Sequence, residues 1–432
     1  MLGRYKKRIL RLVDSLRRLE CESENVEALV TLQGELVWLI KRTESRIAEL
    51  RDGVGANTAQ LKGGRHPKQE SNRLKKLIDE DKKRIDEYQY LKFIWKCFGD
   101  GIAFIYLDKF SLKHAFYDTT DYLPKQDAGA LSGKEGLKRE WAIVKKLAKN
   151  GMPAMLCDIT NILRHGDVCG LLGPDPMPVE IKSSKNINER GKRQLQRIGA
   201  LMNFYKNDEA RNFRGIPYVR RSVFSPQEIT HLDVMNECIA RSEGNAAATM
   251  SPEPGLHYYC IRDAEGLSET DALTPESIMC LLNEAKRERS WMPFFPFTLS
   301  IRDAKHLYEF IRGDFTLAVV LERAELVKQF AADGIRVVLS NEGDWAIWMR
   351  RRGSTGTSAV SQQMFGRMFY EFQSLAWFVA AHGKNALQID EDLGEQAEQM
   401  ASGTRVPDVG WLDVIPESVL RILDDLDSEP KG

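Results

Sequence analysis

One short stretch constrains the fold of this chain more than any other: Pro178-Val179-Glu180-Ile181-Lys182-Ser183-Ser184. Val179 and Ile181 alternate with Glu180 and Lys182, the period of a strand whose two faces differ. Such a strand is expected to bury Val179 and Ile181 and to present a carboxylate and an ammonium side by side on its other face. Charged groups beside a core must be paired, metal-bound or solvated, because desolvating them alone is costly. Asp167, in His165-Gly166-Asp167, stands upstream at the start of a second expected strand. Two acids and a lysine converging on one point form a donor set that can hold a divalent metal and activate water against a phosphodiester.

The acid-x-lysine spacing itself is common. It recurs before Lys82, Lys83, Lys182, Lys286, Lys305 and Lys431, and only at Lys182 does it fall on an expected strand with an acid on another strand upstream. The neighbouring helices contribute two further polar residues. Residues 134–149 place Leu137, Trp141, Val144 and Ala148 on one stripe, and Glu140 falls within it. A glutamate on an apolar arc is either an edge residue reaching for water or a group aimed at a site. Residues 189–206 are expected to bury Leu195, Ile198, Met202 and Tyr205, with Gln194 at the edge of that arc as a group that orients water or a phosphate, or as a plain surface amide.

In order, these elements are a helix with Glu140, a strand over 154–160, a strand from Asp167, the strand with Glu180 and Lys182, the helix with Gln194, and a strand near 216–223. The succession resembles the PD-(D/E)xK nuclease superfamily, and Gly166-Asp167, Glu180-x-Lys182 and Gln194-Leu195 resemble its RecB-like branch. The resemblance implies an α/β fold with a restriction-endonuclease-like mixed-sheet core. It implies that Asp167, Glu180 and the carbonyl of Ile181 bind Mg2+ or Mn2+, and that Glu140 completes the metal shell. Lys182 would assist the attacking water or steady charge on the phosphate, with Gln194 in support. The activity implied is that of a metal-dependent nuclease, with DNA as the expected substrate and bacterial restriction or anti-phage defence as a setting. Two positions depart from the pattern: Gly166 stands where the motif's name has proline, and Ile198 where the RecB-like pattern usually has tyrosine.

Other residues compete for these roles. Asp158, on an expected core strand Leu156-Cys157-Asp158-Ile159, is the runner-up that could replace or supplement Asp167. Asp175 lies in a Gly-Pro-Asp-Pro turn, where aspartate is expected for backbone reasons alone. His165 reads as a loop or surface histidine. Net charge is zero, yet residues 182–221 hold eleven Lys and Arg against three Asp and Glu, while 385–432 hold three against twelve. A basic field beside the expected site attracts a phosphate backbone, and Lys185, Arg190, Lys192, Arg193 and Arg197 are its candidate contacts. Solvated helix faces are the plainer account of such runs.

A chain of 432 residues holds two or three domains with their own cores. It has no apolar run as long as a membrane span, and its start lacks the apolar core of a signal peptide. Seven scattered cysteines without a Cys-x-x-Cys pair fit a cytoplasmic protein. Residues 1–96 read as a helical hairpin or coiled-coil arm: a stripe runs from Ile9 to Ile47, Gly53–Gly64 breaks it, and Leu74, Leu77, Ile78, Ile85 and Tyr88 resume it. The arm is expected to form a homo-oligomer, bind a partner protein or pack on the core. With seven basic residues and one acidic in 1–18, it also suits a grip on nucleic acid. Residues 97–224 form the expected core, and 225–432 an α+β accessory domain with an acidic tail. That domain is expected to hold strands at 257–261, 294–299, 315–321, 335–339 and 345–349, and helices near 274–288, 301–312, 322–333 and 359–381. Two other functions stay open: a nuclease fold kept only for binding nucleic acid, and a helical scaffold acting through residues 1–96.

Overall fold

A computed structural model describes residues 2–127, 129–181, 189–221, 227–263, 276–340, 343–354, 356–384 and 416–428. Helices and small antiparallel sheets pack into two compact units, residues 1–216 with 287–312, and residues 217–286 with 313–432. The expected arm and most of the expected core thus share one unit, and part of the expected accessory domain returns to it. Among the described residues, no helix is long and apolar enough to cross a membrane.

In the first unit, α1 (Lys6–Cys21) buries Ile9, Leu12, Val13, Leu16 and Leu19, the stripe visible in the sequence. A turn follows, and Asn25 accepts a hydrogen bond from the Ala28 N–H to cap α2 (Val26–Lys62). The break expected at Gly53 does not occur, and α2 continues unbroken to Lys62. A glycine inside a helix costs only about 1 kcal/mol, and α2 packs along α3 (Lys68–Tyr106), where that cost is outweighed. From Phe93 to Phe104, α3 is buried on every side and forms the axis of the core. Residues 287–312 close the unit. Arg17 donates to the carbonyls of Thr298 at 2.9 Å and Ile301 at 2.8 Å, and the Tyr90 hydroxyl donates to that of Ile311 at 2.7 Å.

Around this axis lie α4 (Lys109–Phe116), α5 (Leu137–Lys149) and a small antiparallel sheet of β1 (Ala154–Leu156), β2 (Val168–Gly170) and β3 (Met177–Val179), followed by α6 (Glu189–Asn207). The strand expected over 154–160 stops at Leu156 and becomes a 3-10 turn, Cys157–Ile159. The inward face of β3 is the reverse of that expected. Pro178 is buried opposite Cys169, while Val179 is 51 % exposed. On α6, Tyr205 is buried as expected, together with Leu201 and Phe204, while Ile198 and Met202 are half-buried and Leu195 is exposed. The strand expected near 216–223 is β5 (Ile216–Arg220), which pairs with β4 (Glu209–Phe213) rather than with the three-stranded sheet.

The second unit contains a four-stranded antiparallel sheet in the order β6 (Ala247–Glu253), β7 (Leu256–Ile261), β9 (Thr316–Glu322), β8 (Ser277–Leu281). A second sheet joins β10 (Ile335–Leu339), β11 (Trp345–Arg351) and β12 (Thr357–Ser361). Three expectations for residues 225–432 are corrected. The helix expected from 274 begins only at Leu282, because Ser277–Leu281 pairs with β9. The stretch 294–299 is a turn and a short helix, Phe297–Ser300, not a strand. The helix expected over 359–381 is divided, with β12 before Gln362 and a bend after Tyr370, where Phe372 has φ +54°. Ser251 Oγ lies 2.7 Å from His257 Nδ1, and His257 Nε2 lies 2.7 Å from Glu322 Oε1, so His257 on β7 links β6 on one side to β9 on the other.

Candidate active site

Three carboxylates from three elements meet at one nitrogen. Lys134 Nζ lies 2.7 Å from Asp158 Oδ2, 3.0 Å from Asp167 Oδ1 and 2.9 Å from Glu140 Oε2. Glu140 comes from the first turn of α5, Asp158 from the 3-10 turn after β1, and Asp167 from the residue before β2. Their side chains are 3 %, 6 % and 16 % exposed, so the charges sit largely out of water. The first two contacts of the ammonium are hydrogen bonds. Glu140 Oε2 is close in charge but has no hydrogen-bond partner, although it is buried.

Each acid is held by local backbone geometry. At the position of Gly99 on α3, a Cβ would stand 2.0 Å from the Ile159 carbonyl oxygen, so only glycine lets the Asp158 turn lie against the helix. Asp100, next in α3, accepts the backbone N–H groups of Asn161 and Ile162 and the Asn161 side-chain amide, and fixes the chain leaving that turn. Burial pushes the Asp100 carboxyl up to about 6, against these hydrogen bonds. On the outer edge of β1, Gln33 of α2 accepts from the Leu156 N–H at 3.0 Å and donates to the Ala154 carbonyl at 2.9 Å, taking the place of a fourth strand. Asp167 receives the Ile181 N–H on Oδ2 at 2.8 Å, and its own N–H donates to the Val179 carbonyl. Gly166 before it has φ +76°, a value closed to proline, and a Cβ there would stand 2.9 Å from the Val179 nitrogen. The glycine that departs from the motif's name is therefore what this backbone requires.

The charges perturb one another. Burial works against the Lys134 ammonium, but its bonds to Asp158, Glu140 and Asp167 outweigh burial and raise its pKa. Burial raises the Glu140 carboxyl, and the neighbouring Asp167 and Asp158 charges add to that against the pull of Lys134. Glu140 thus takes up a proton at a higher pH than an ordinary glutamate does.

Sequence reasoning and structure meet only in part. Glu140 and Asp167 stand together as expected, and Asp158 joins them rather than replacing Asp167. Glu180 is half-buried beyond the end of β3, where its charge acts on Lys125. Ile181 is tied to Asp167 through its N–H, and Lys182 and Lys185 lie outside the described residues. Gln194 is half-buried on α6. Among the candidate phosphate contacts, Lys192 pairs with Glu189 at 2.8 Å and Arg197 with Asp118 at 3.2 Å, Arg193 is exposed, and the side chain of Arg190 lies outside the described residues. His165, expected at the surface, is buried. Its Nε2–H donates to the Tyr117 carbonyl at 2.9 Å, and burial with the nearby Lys125 lowers its pKa to about 3. Lys134 had no signal in the sequence, since it lies in a polar loop outside the stripe of α5. The loop is anchored by buried Leu131 and by the Ser132 N–H donated to Glu44.

Among the described residues, no group of three or more His, Cys, Asp or Glu is gathered so as to hold a metal ion. Around Lys134, each carboxylate oxygen stands about 0.6–0.9 Å farther from the nitrogen than a magnesium–oxygen bond is long. The donor chemistry nonetheless suits a hard divalent cation, and Glu140 Oε2 faces the shared centre, where it is ion-paired with Lys134. Comparison with protein-family models, curated proteins and solved structures finds no match to this chain.

Proposed function

We propose that the first unit is a metal-dependent nuclease of the PD-(D/E)xK type, with a restriction-endonuclease-like core acting on nucleic acid, DNA being the expected substrate and anti-phage restriction a fitting role. The observation that carries the reading is the convergence of Glu140, Asp158 and Asp167 from three separate elements on one cation. Buried like charges are not gathered without a counter-charge to hold. The succession α5, β1, β2, β3, α6 supports the same reading. The three carboxylates, with Glu180 and the Ile181 carbonyl nearby in the chain, would hold Mg2+ or Mn2+. Such an ion supplies a bound water made acidic enough to attack and a counter-charge for the phosphate. Lys134 holds the acids together, and an ion at their centre would have to displace it. Lys182, where the motif has its lysine, would orient the attacking water.

Cleavage of linear, circular and single-stranded DNA and of RNA with Mg2+ or Mn2+ tests this, with wild type beside Asp158→Asn, Asp167→Asn and Glu180→Gln. Cleavage by wild type that EDTA abolishes, and that both aspartate substitutions lower by at least about a hundredfold, is expected. Cleavage untouched by these substitutions would remove the site. The position of Lys134 favours one second reading, a silent nuclease fold that only binds nucleic acid, because the ammonium already neutralises the acids. Metal-independent binding with no cleavage on any substrate would select it.

A further inference from the structure

Apart from the acids, the first unit has a second gathering of charge, of opposite sign, in its three long helices. Arg4 and Arg8 at the start of the chain, Arg42 and Arg46 on α2, and Arg84 on α3 line one cleft of about 470 Å³. A single carboxylate, that of Glu49, shares the cleft, and it is bonded to Arg46. Arg84 pairs with Asp81, while Arg4, Arg8 and Arg42 have no carboxylate partner among the described residues. Guanidinium groups present planar forks of donors that match phosphate oxygens, so a concave wall of five, three of them without a carboxylate partner among the described residues, is a site for phosphate.

Two of these arginines are ordered before any ligand arrives. The Arg8 guanidinium lies 4.4 Å from the centre of the Trp38 ring and that of Arg42 lies 5.3 Å from it, although the ring is 44 % exposed. Stacking on one indole holds both forks in place and lowers the entropy lost on binding. The cleft is also aligned with the acids. Gly34, Trp38, Arg42 and Arg46 follow one another at single-turn spacing along α2, and a Cβ on Gly34 would stand 3.6 Å from the ring of Trp141, the neighbour of Glu140 on α5. From Gly34 to Arg46 the helix rises about 18 Å, roughly the length of five nucleotides in a stacked strand. That is longer than one phosphate needs.

We propose that this arginine cleft grips the phosphodiester backbone of a nucleic-acid strand, in line with Glu140 and its neighbours. The proposal deepens the nuclease reading on the side of its substrate, and its test does not depend on cleavage. Full-length protein is titrated into a fluorescently labelled single strand of twenty nucleotides in EDTA, at several salt concentrations, and binding is read by anisotropy. The Arg8→Ala/Arg42→Ala double variant is expected to bind at least tenfold more weakly, and its plot of log affinity against log salt to flatten by about 1.4, the loss of two phosphate contacts. Arg46→Ala, which leaves the indole stack intact, is expected to flatten it by about 0.7. Unchanged affinity and slope in both variants, with native circular dichroism, would overturn the proposal, as would absence of binding by wild type at low salt. Adenosine triphosphate and inorganic phosphate are added as competitors. Displacement by the free nucleotide at concentrations as low as those of unlabelled strand would make the ligand a nucleotide and overturn the backbone assignment. Strand binding by a wild type that cleaves nothing would count against the nuclease alone; cleavage with binding unaltered in the arginine variants would count against the cleft alone.

Discussion

Replacing Lys134 by methionine keeps the length of the side chain and removes the cation from the centre of Glu140, Asp158 and Asp167. The carboxylates would then face one another. Two such charges about 5 Å apart repel by about 3 kcal/mol at an effective dielectric constant of about 20. As the pH falls, the fold answers by protonating Glu140, whose pKa burial and its acidic neighbours already raise. This limits the cost. Stripping one partner from a buried ion pair costs about 3–5 kcal/mol, and because the Lys134 side chain is 26 % exposed the expected loss is nearer about 2–4 kcal/mol. For a unit of this size, that lowers the melting temperature by roughly 5–15 °C. The sign with pH follows from Glu140. A carboxyl whose folded pKa is raised takes up a proton more readily folded than unfolded, so the deficit is full at neutral pH and shrinks as the pH falls through that raised pKa. Thermal melting in EDTA, then with increasing Mn2+, provides the assay. The variant should recover stability with Mn2+ more steeply than wild type, because the ion no longer competes with a tethered ammonium. A variant that melts with wild type in EDTA, or falls without recovering in Mn2+, would refute the argument.

Other positions give sharp expectations. Gly99→Ala must move the Ile159 carbonyl that would stand 2.0 Å from the new Cβ, so melting should show a loss of about 2–3 kcal/mol and cleavage should fall with the displaced Asp158. Gln33→Leu leaves the Leu156 N–H and Ala154 carbonyl buried and unpaired; denaturant unfolding should register about 2–4 kcal/mol. The His165 ring, with its pKa lowered to about 3, should show no titration by NMR between pH 8 and 5. Because its folded pKa lies below the unfolded value, the stability it contributes is present above about pH 6.5 and is lost as the pH falls toward 3.

How far the sequence speaks for itself differs from element to element. The apolar stripe of α1 and the inward glutamate of α5 were legible because helical spacing records burial directly. Asp167 was legible from its motif. Asp158 was visible only as an alternative, since Leu156-Cys157-Asp158-Ile159 has the hydrophobicity of a strand, and the turn that aims the carboxylate depends on the close approach of Gly99 from a helix far away in sequence. Lys134 was hidden for the same reason: its loop is set by contacts to Leu131 and Ser132, not by local propensity. Gly53 and Gly55 suggested a break because glycine is a poor helix former, yet the long contact with α3 overrides that preference. Ser277–Leu281 has the local pattern of a helix, and what makes it a strand is its neighbour β9, which lies more than thirty residues on.

The return of residues 287–312 to the first unit bears on how the protein is made. A ribosome that has released residue 216 has not yet synthesised the carbonyls of Thr298 and Ile301 that receive Arg17, nor that of Ile311 that receives Tyr90. At about 5–20 residues per second, the nascent first unit waits roughly 5–20 s for its closing segment. Through that interval the parts of α1 and α3 that pack on residues 287–312 lack that cover, so the amino-terminal unit cannot be finished until the first stretch of the second unit, residues 217–286, has already been made.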